Sequence, residues 1–148
     1  MSGYINKSKT DSWGTPPSVY DPLHAEFNFD KFDPCPLSSK PEFDGSKCDW
    51  ADATFVNPPY SQLKSTKKHG IGWIEKCHLE AQKGKTVVFL IPARTDTTWF
   101  HDIILKNDYE VRFMRGRIKF IDKTTGIAKG TAPFATMIIV MRKNPGRA

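Results

Sequence analysis

Cysteine is scarce and badly spaced for structural work: the chain has three, Cys35, Cys48 and Cys77, an odd set without a Cys-x-x-Cys pair. That excludes a disulfide framework and a zinc ribbon, so free thiols in a reducing cytoplasm and no metal are expected. Long apolar runs are absent too. Nothing approaches the ~20 residues a membrane helix needs, and Met1-Ser2-Gly3-Tyr4 lacks the charged-then-apolar opening of an export signal. Internal repeats and low-complexity segments are missing, which removes solenoids and linker-rich chains from consideration.

What is present fits one domain. At 148 residues the chain buries roughly 70% of its unfolded surface, enough for a core without metals or disulfides. Residues 1–12 are polar and expected to be loose, leaving 13–148 as the folded unit. The net charge of +6 is unevenly placed: residues 1–57 carry −4 and residues 58–148 carry +10. A basic half of this kind can neutralise phosphates.

The apolar spacing predicts alternating elements. Thr15 before Pro16-Pro17 reads as a capped helix start, with Val19, Leu23 and Phe27 on one face. Asn28–Asp33 alternates Phe with polar groups and reads as a short strand, followed by an irregular stretch to Asp52. Ala53-Thr54-Phe55-Val56 is a buried strand ending at Asn57. A helix from about Ile71 to Gln82 turns Ile74, Cys77 and Ala81 inward, and Gly84 ends it. Thr86–Ile91 is continuously apolar, as in a strand covered on both faces. A helix over 96–106, capped near Thr95 or Asp96, buries Trp99, Phe100 and Ile103; strands follow at 109–114, 118–121 and 134–141. The pattern predicts an α/β sheet of about five strands, its central strands parallel, with a carboxyl-terminal hairpin.

Asn57-Pro58-Pro59-Tyr60 is the strongest chemical signal. A conjugated amine is a poor nucleophile because its lone pair is delocalised. Acceptors at its two N–H bonds return that lone pair to nitrogen, and the Asn57 amide oxygen and the Pro58 carbonyl are suited to the task. Consecutive prolines fix φ and remove two donors, so a stiff loop presents carbonyls at the strand end. Tyr60 supplies a ring for stacking. The carboxyl end of a strand is also where open α/β sheets bind ligands.

The tetrapeptide resembles the catalytic motif of amino-group methyltransferases that use S-adenosylmethionine. More of the chain resembles one family, the small phage and prophage DNA adenine methyltransferases. The residues concerned are Trp13-x-Thr15-Pro16-Pro17, Phe32-Asp33-Pro34-Cys35, Phe89–Thr95 with Trp99-Phe100, Gly116-Arg117-Ile118-Lys119-Phe120, and Ala132-Pro133-Phe134. The ordered set spans Trp13 to Val140. It implies a minimal Rossmann-like fold and transfer to a flipped adenine held by Asn57 and Tyr60, with Phe120 as a second stacking ring. The cofactor is expected at Asp33, Pro34 and Cys35, with Trp13, Thr15 and Pro16 closing over its methionine part. Arg94, Arg115, Arg117, Lys119, Lys64, Lys67 and Lys68 are candidate DNA-phosphate contacts.

One feature of larger methyltransferases is missing. The run Asp33–Ser39 contains no glycine, so close backbone approach to a cofactor is less assured. The interval from Asp33 to Asn57 is shorter than the ~30 residues of a strand–helix–strand unit, leaving Asp49 and Asp52 as stand-ins for a ribose-binding acid. An open pocket follows, with weak cofactor affinity or completion by a second subunit in a homodimer. Sequence specificity is expected from the loops Ser61–Gly70 and Asp122–Pro133. Methylation of RNA or a protein glutamine, or a decayed nucleic-acid-binding protein, are the alternatives.

Overall fold

The computed structural model describes residues 13–35, 44–122 and 127–143. The stretch 1–12 and the Trp13 side chain lie outside the described residues. The chain is α/β, with a mixed four-stranded sheet and a small three-stranded one.

Strand β1 (Trp13–Gly14) leads into helix α1 (Pro17–Phe27). The expected Thr15 cap does not form: Pro16 occupies the cap position with no side-chain bond. Pro17 has no N–H to satisfy and its φ is preset for the first turn, so the helix starts without help from Thr15. Val19 and Leu23 are buried as expected, with Phe27 packed against the core. Asn28, at φ 53°, ends the helix.

The strand expected over 28–33 does not form. Asp30 N–H donates to the Ala53 carbonyl at 2.9 Å. The return bond, from Ala53 N–H at 3.0 Å, goes to the Asp30 carboxylate rather than to backbone. A side chain has taken the place of the ladder, and the segment only leans on the sheet edge.

The main sheet runs β2 (Ala53–Val56), β3 (Thr86–Pro92), β7 (Thr136–Met141), β4 (Glu110–Phe113). Only β2 and β3 are parallel, joined through helix α2 (Trp73–Gln82); β7 is antiparallel to both β3 and β4. The predicted parallel centre is therefore half right. Val87–Ile91 and all of β7 are buried, as two-sided coverage demands. Ile74, Cys77 and Ala81 of α2 pack on them, and each fully buried Val, Leu or Ile contributes about 1.5–3 kcal/mol.

The expected hairpin is re-paired. Strand β5 (Lys119–Asp122) leaves β4 and joins β1 on one side and β6 (Ala128–Thr131) on the other. The turn through Gly116, at φ 74°, redirects the chain between the two sheets. The interval Asp122–Pro133, expected as a loop, holds β6. The helix expected over 96–106 forms over 98–105, its first two residues α-helical and the rest a π-helical segment, Phe100–Leu105. Its wider turn carries Ile104, rather than Ile103, to the fully buried position.

At the amino ends of β2 and β3 lies a buried ion cluster. Glu80 of α2 is 0% exposed and pairs with Lys76 at 2.7 Å, Lys85 at 2.8 Å and Lys83 at 2.9 Å. It also accepts from Trp50 N–H at 3.1 Å. Burial opposes its charge, but three ammonium groups and that N–H hold its carboxyl well below the usual range. Among the described residues no helix is long and apolar enough to cross a membrane.

Candidate active site at the carboxyl end of β2

Alternation along β2 puts Phe55 and Asn57 on one side of the strand. Both line a cleft of about 180 Å³ together with Thr15, Tyr20, Asp33 and Cys35. Three segments far apart in sequence meet there. Asn57 Nδ2 donates to Thr15 Oγ1 at 3.2 Å, which fixes the end of the amide that faces Thr15. Asp33 Oδ1 accepts from Cys35 N–H at 2.8 Å, closing a tight turn beneath the cleft. The Tyr20 phenol is raised from its ordinary value by burial and then by the nearby charges of Asp33 and Asp21. The cleft is thus an acidic place with aromatic walls.

Pro58 and Pro59 are buried, and Pro59 holds φ −63° and ψ 122° before a short turn, Tyr60–Gln62. Tyr60 is 4% exposed, edge-on to Phe134 at 5.8 Å and Phe120 at 6.2 Å. Its buried hydroxyl has no hydrogen-bond partner among the described residues. Burial pushes this phenol far up, while the charge of Arg94 pulls the other way, which places that guanidinium within electrostatic reach. Phe120 is 0% exposed. In this conformation it packs Tyr60 in place rather than offering a face to a base, because β5 turns it into the core.

The remaining sequence-predicted residues divide. Pro16 and Pro34 are buried behind the cleft and do not line it. Asp49 is tied to Lys83 at 2.6 Å, and neither it nor Asp52 reaches the cleft. Arg94, Arg115, Arg117 and Lys119 are exposed. Lys64, Lys67 and Lys68 are exposed on the loop before α2. That loop is well anchored: Thr66 and Gly70 exchange backbone bonds of 2.9 and 2.8 Å. Ser65 Oγ accepts from Gly72 N–H and donates to Glu75, both at 2.8 Å, in the manner of a helix cap supplied from a distance. Lys64 lines a separate cleft with Ser65, Trp99 and Asp102, away from Asn57.

Sequence reasoning missed Tyr20 and Phe55 as cleft walls. Period 2 along β2 would have found Phe55 from Asn57; Tyr20 gave no comparable sign.

The cleft thus lies at the carboxyl end of a parallel strand pair, where open α/β sheets bind ligands; of the Asn-Pro-Pro-Tyr turn only Asn57 lines it, and Pro58, Pro59 and Tyr60 do not. Residues 3–147 match the family described as DNA N-6-adenine-methyltransferase (Dam), and the chain belongs to that family. No curated protein and no solved structure matches it.

Proposed function

We propose that the protein transfers a methyl group from S-adenosylmethionine to the N6 amino group of an adenine flipped out of DNA. The observation that carries this reading is the meeting of Asn57 with Thr15, Asp33 and Cys35 in one cleft. The residues present fit the cofactor's charge. Asp33 is an exposed carboxylate that can pair with an ammonium, and the Tyr20 and Phe55 rings can lie against a sulfonium. The volume of about 180 Å³ is below the roughly 300–1,000 Å³ of a site that encloses a whole small molecule. The cleft therefore takes one end of the cofactor and leaves the rest at the surface, or to a partner subunit.

When bound, S-adenosylmethionine supplies an electrophilic methyl group. The Asn57 side-chain oxygen would accept a hydrogen bond from one amino N–H and the Pro58 carbonyl one from the other, concentrating the lone pair on nitrogen. Thr15 holds the Asn57 amide in orientation. Transfer is direct and in line. Alignment of two held reactants can supply ~7–11 kcal/mol. The methyl's bond to sulfur would break as its bond to nitrogen forms, and the product ammonium would lose its proton to water, so no obligatory base is needed. Tyr60 is held by ring packing alone and can turn toward an entering base without breaking a hydrogen bond. Arg94, Arg117 and the Lys64–Lys68 loop supply phosphate contacts. We read the β2–α2–β3 unit as the surviving part of a Rossmann-like methyltransferase sheet.

Methyl-labelled cofactor incubated with unmethylated DNA, RNA or protein, followed by digestion, tests the reading. Label on DNA adenine that Asn57→Ala abolishes is the expected result. Label on RNA or glutamine would transfer the chemistry to another substrate, and no label at all would overturn it.

A further inference from the structure

The turn at Asp33–Cys35 has no glycine of its own, yet its backbone is approached as closely as one could be. The approach comes from Gly45. A Cβ built on Gly45 would lie 1.8 Å from the Pro34 carbonyl oxygen, 2.6 Å from its carbon and 2.8 Å from Pro34 Cα. All three atoms are backbone, so no side-chain rotation relieves the clash. Gly45 is itself held: its carbonyl accepts from Trp50 Nε1 at 2.6 Å and lies 3.6 Å from Cys48 Sγ. Asp44 fastens the turn from below, accepting from Ser46 N–H at 2.9 Å and Ser46 Oγ at 2.6 Å.

Trp50 is fixed from several sides. Its N–H donates to Glu80, its carbonyl accepts from Lys85, the Lys76 ammonium sits 5.5 Å from its ring, and Trp73 stacks at 6.1 Å. A chain of contacts therefore runs from the buried ion cluster through Trp50 and Gly45 to Pro34. Pro34 is flanked by Asp33 and Cys35, both lining the cleft.

We propose that Gly45 and Trp50 are positioning residues that set the Asp33–Cys35 turn against Asn57, doing from a separate segment what a glycine-rich turn does within itself. The ligand named here, S-adenosylmethionine, rests on the function proposed above; the positioning itself does not. Substituting Gly45 pushes Pro34 outward and opens the floor of the cleft.

Cys35 reports the geometry without any turnover. Alkylation by iodoacetamide, mapped by peptide mass, is measured on the intact protein with and without S-adenosylmethionine. Buried Cys77 serves as the internal sign of an intact fold. Gly45→Ala is expected to speed Cys35 labelling about tenfold and to raise the cofactor concentration giving half protection about tenfold, since small misplacements at a site are costly. Trp50→Phe, which removes the indole donor to Gly45 and leaves a smaller ring against Trp73, is expected to shift both about threefold. Wild-type rates in both variants, with Cys77 still shielded, would overturn the proposal. If Gly45→Ala exposes Cys77, the Trp50→Phe result decides alone. Faster labelling in the variants with no cofactor protection in the wild type leaves the positioning standing and removes the cofactor reading.

Discussion

The two ends of β2 solve opposite problems. At its amino end Glu80 is buried under three lysines and a backbone N–H, and Lys76 and Lys85 also bond the carbonyls of Cys48 and Trp50. At its carboxyl end Asn57 is half-buried, Asp33 is exposed and Tyr60 carries a buried hydroxyl with no partner among the described residues. One end consumes its polar groups in holding the chain; the other keeps polar groups facing a cleft. Satisfied networks rigidify, and functional ends tolerate incomplete satisfaction because a ligand completes it.

The sharpest way to break this contrast is to remove the carboxylate at the structural end. Glu80→Gln strips the almost buried Lys76 and Lys85 of the carboxylate they pair with, and a loss of about 3–5 kcal/mol is expected in urea unfolding. A loss under about 1 kcal/mol would make the cluster an ordinary surface network. The pH dependence carries the same sign. Because the folded-state carboxyl sits well below its ordinary value of 4.5, its contribution is complete above that range. It drains away as the pH falls toward the depressed value. Urea midpoints should therefore fall more steeply below about pH 4.5 for the wild type than for Glu80→Gln.

At the other end the effect moves from stability to rate. Asn57→Ala is expected to lower methyl transfer by about 10²–10³-fold, the usual cost of one aligned polar group. Its unfolding free energy should drop by only about 1 kcal/mol for the lost bond to Thr15. A comparable loss of stability and activity would erase the distinction between the two ends. Tyr60→Phe sharpens it further. Deleting a buried hydroxyl without a partner should raise stability by about 1 kcal/mol, read from the unfolding midpoint. The smallest effect belongs to the rim: Arg117→Ala should reduce the salt slope of DNA binding by about one, whatever the DNA sequence.

Much of this division was legible in the sequence, and for identifiable reasons. Alternation and apolar runs are local properties, so β2, α2 and β3 stand within a residue or two of where they were expected. The cleft was legible through Asn57, singled out by its chemistry, and through Thr15, Asp33 and Cys35, singled out by the resemblance to the adenine methyltransferases. The strand at 28–33 was not, because periodicity cannot reveal that the Asp30 carboxylate takes a ladder bond. The pairing of β4 and β5 was equally hidden: each reads as a strand, but only the turn at Gly116 and the vacancy beside β7 decide their partners. Phe120 looked like a stacking ring and is fully buried, since an aromatic residue carries no sign of which sheet face it takes. Gly45 and Trp50 are ordinary in sequence; their importance lies in contacts made across 30 residues and across the turn they support.

The strand order also has a consequence for how the protein comes into being. β7 is the last of the described strands to leave the ribosome, yet it lies inside the main sheet, between β3 and β4. Until it arrives, β4 has no strand to pair with and one edge of the apolar strand β3 is open. Such long-range closure is slow, and the waiting intermediate is prone to pair with other chains. Synthesis stopped before residue 136 would thus release a sticky half-sheet rather than a slightly shortened domain, so the yield of soluble protein should depend on how quickly the nascent chain is completed.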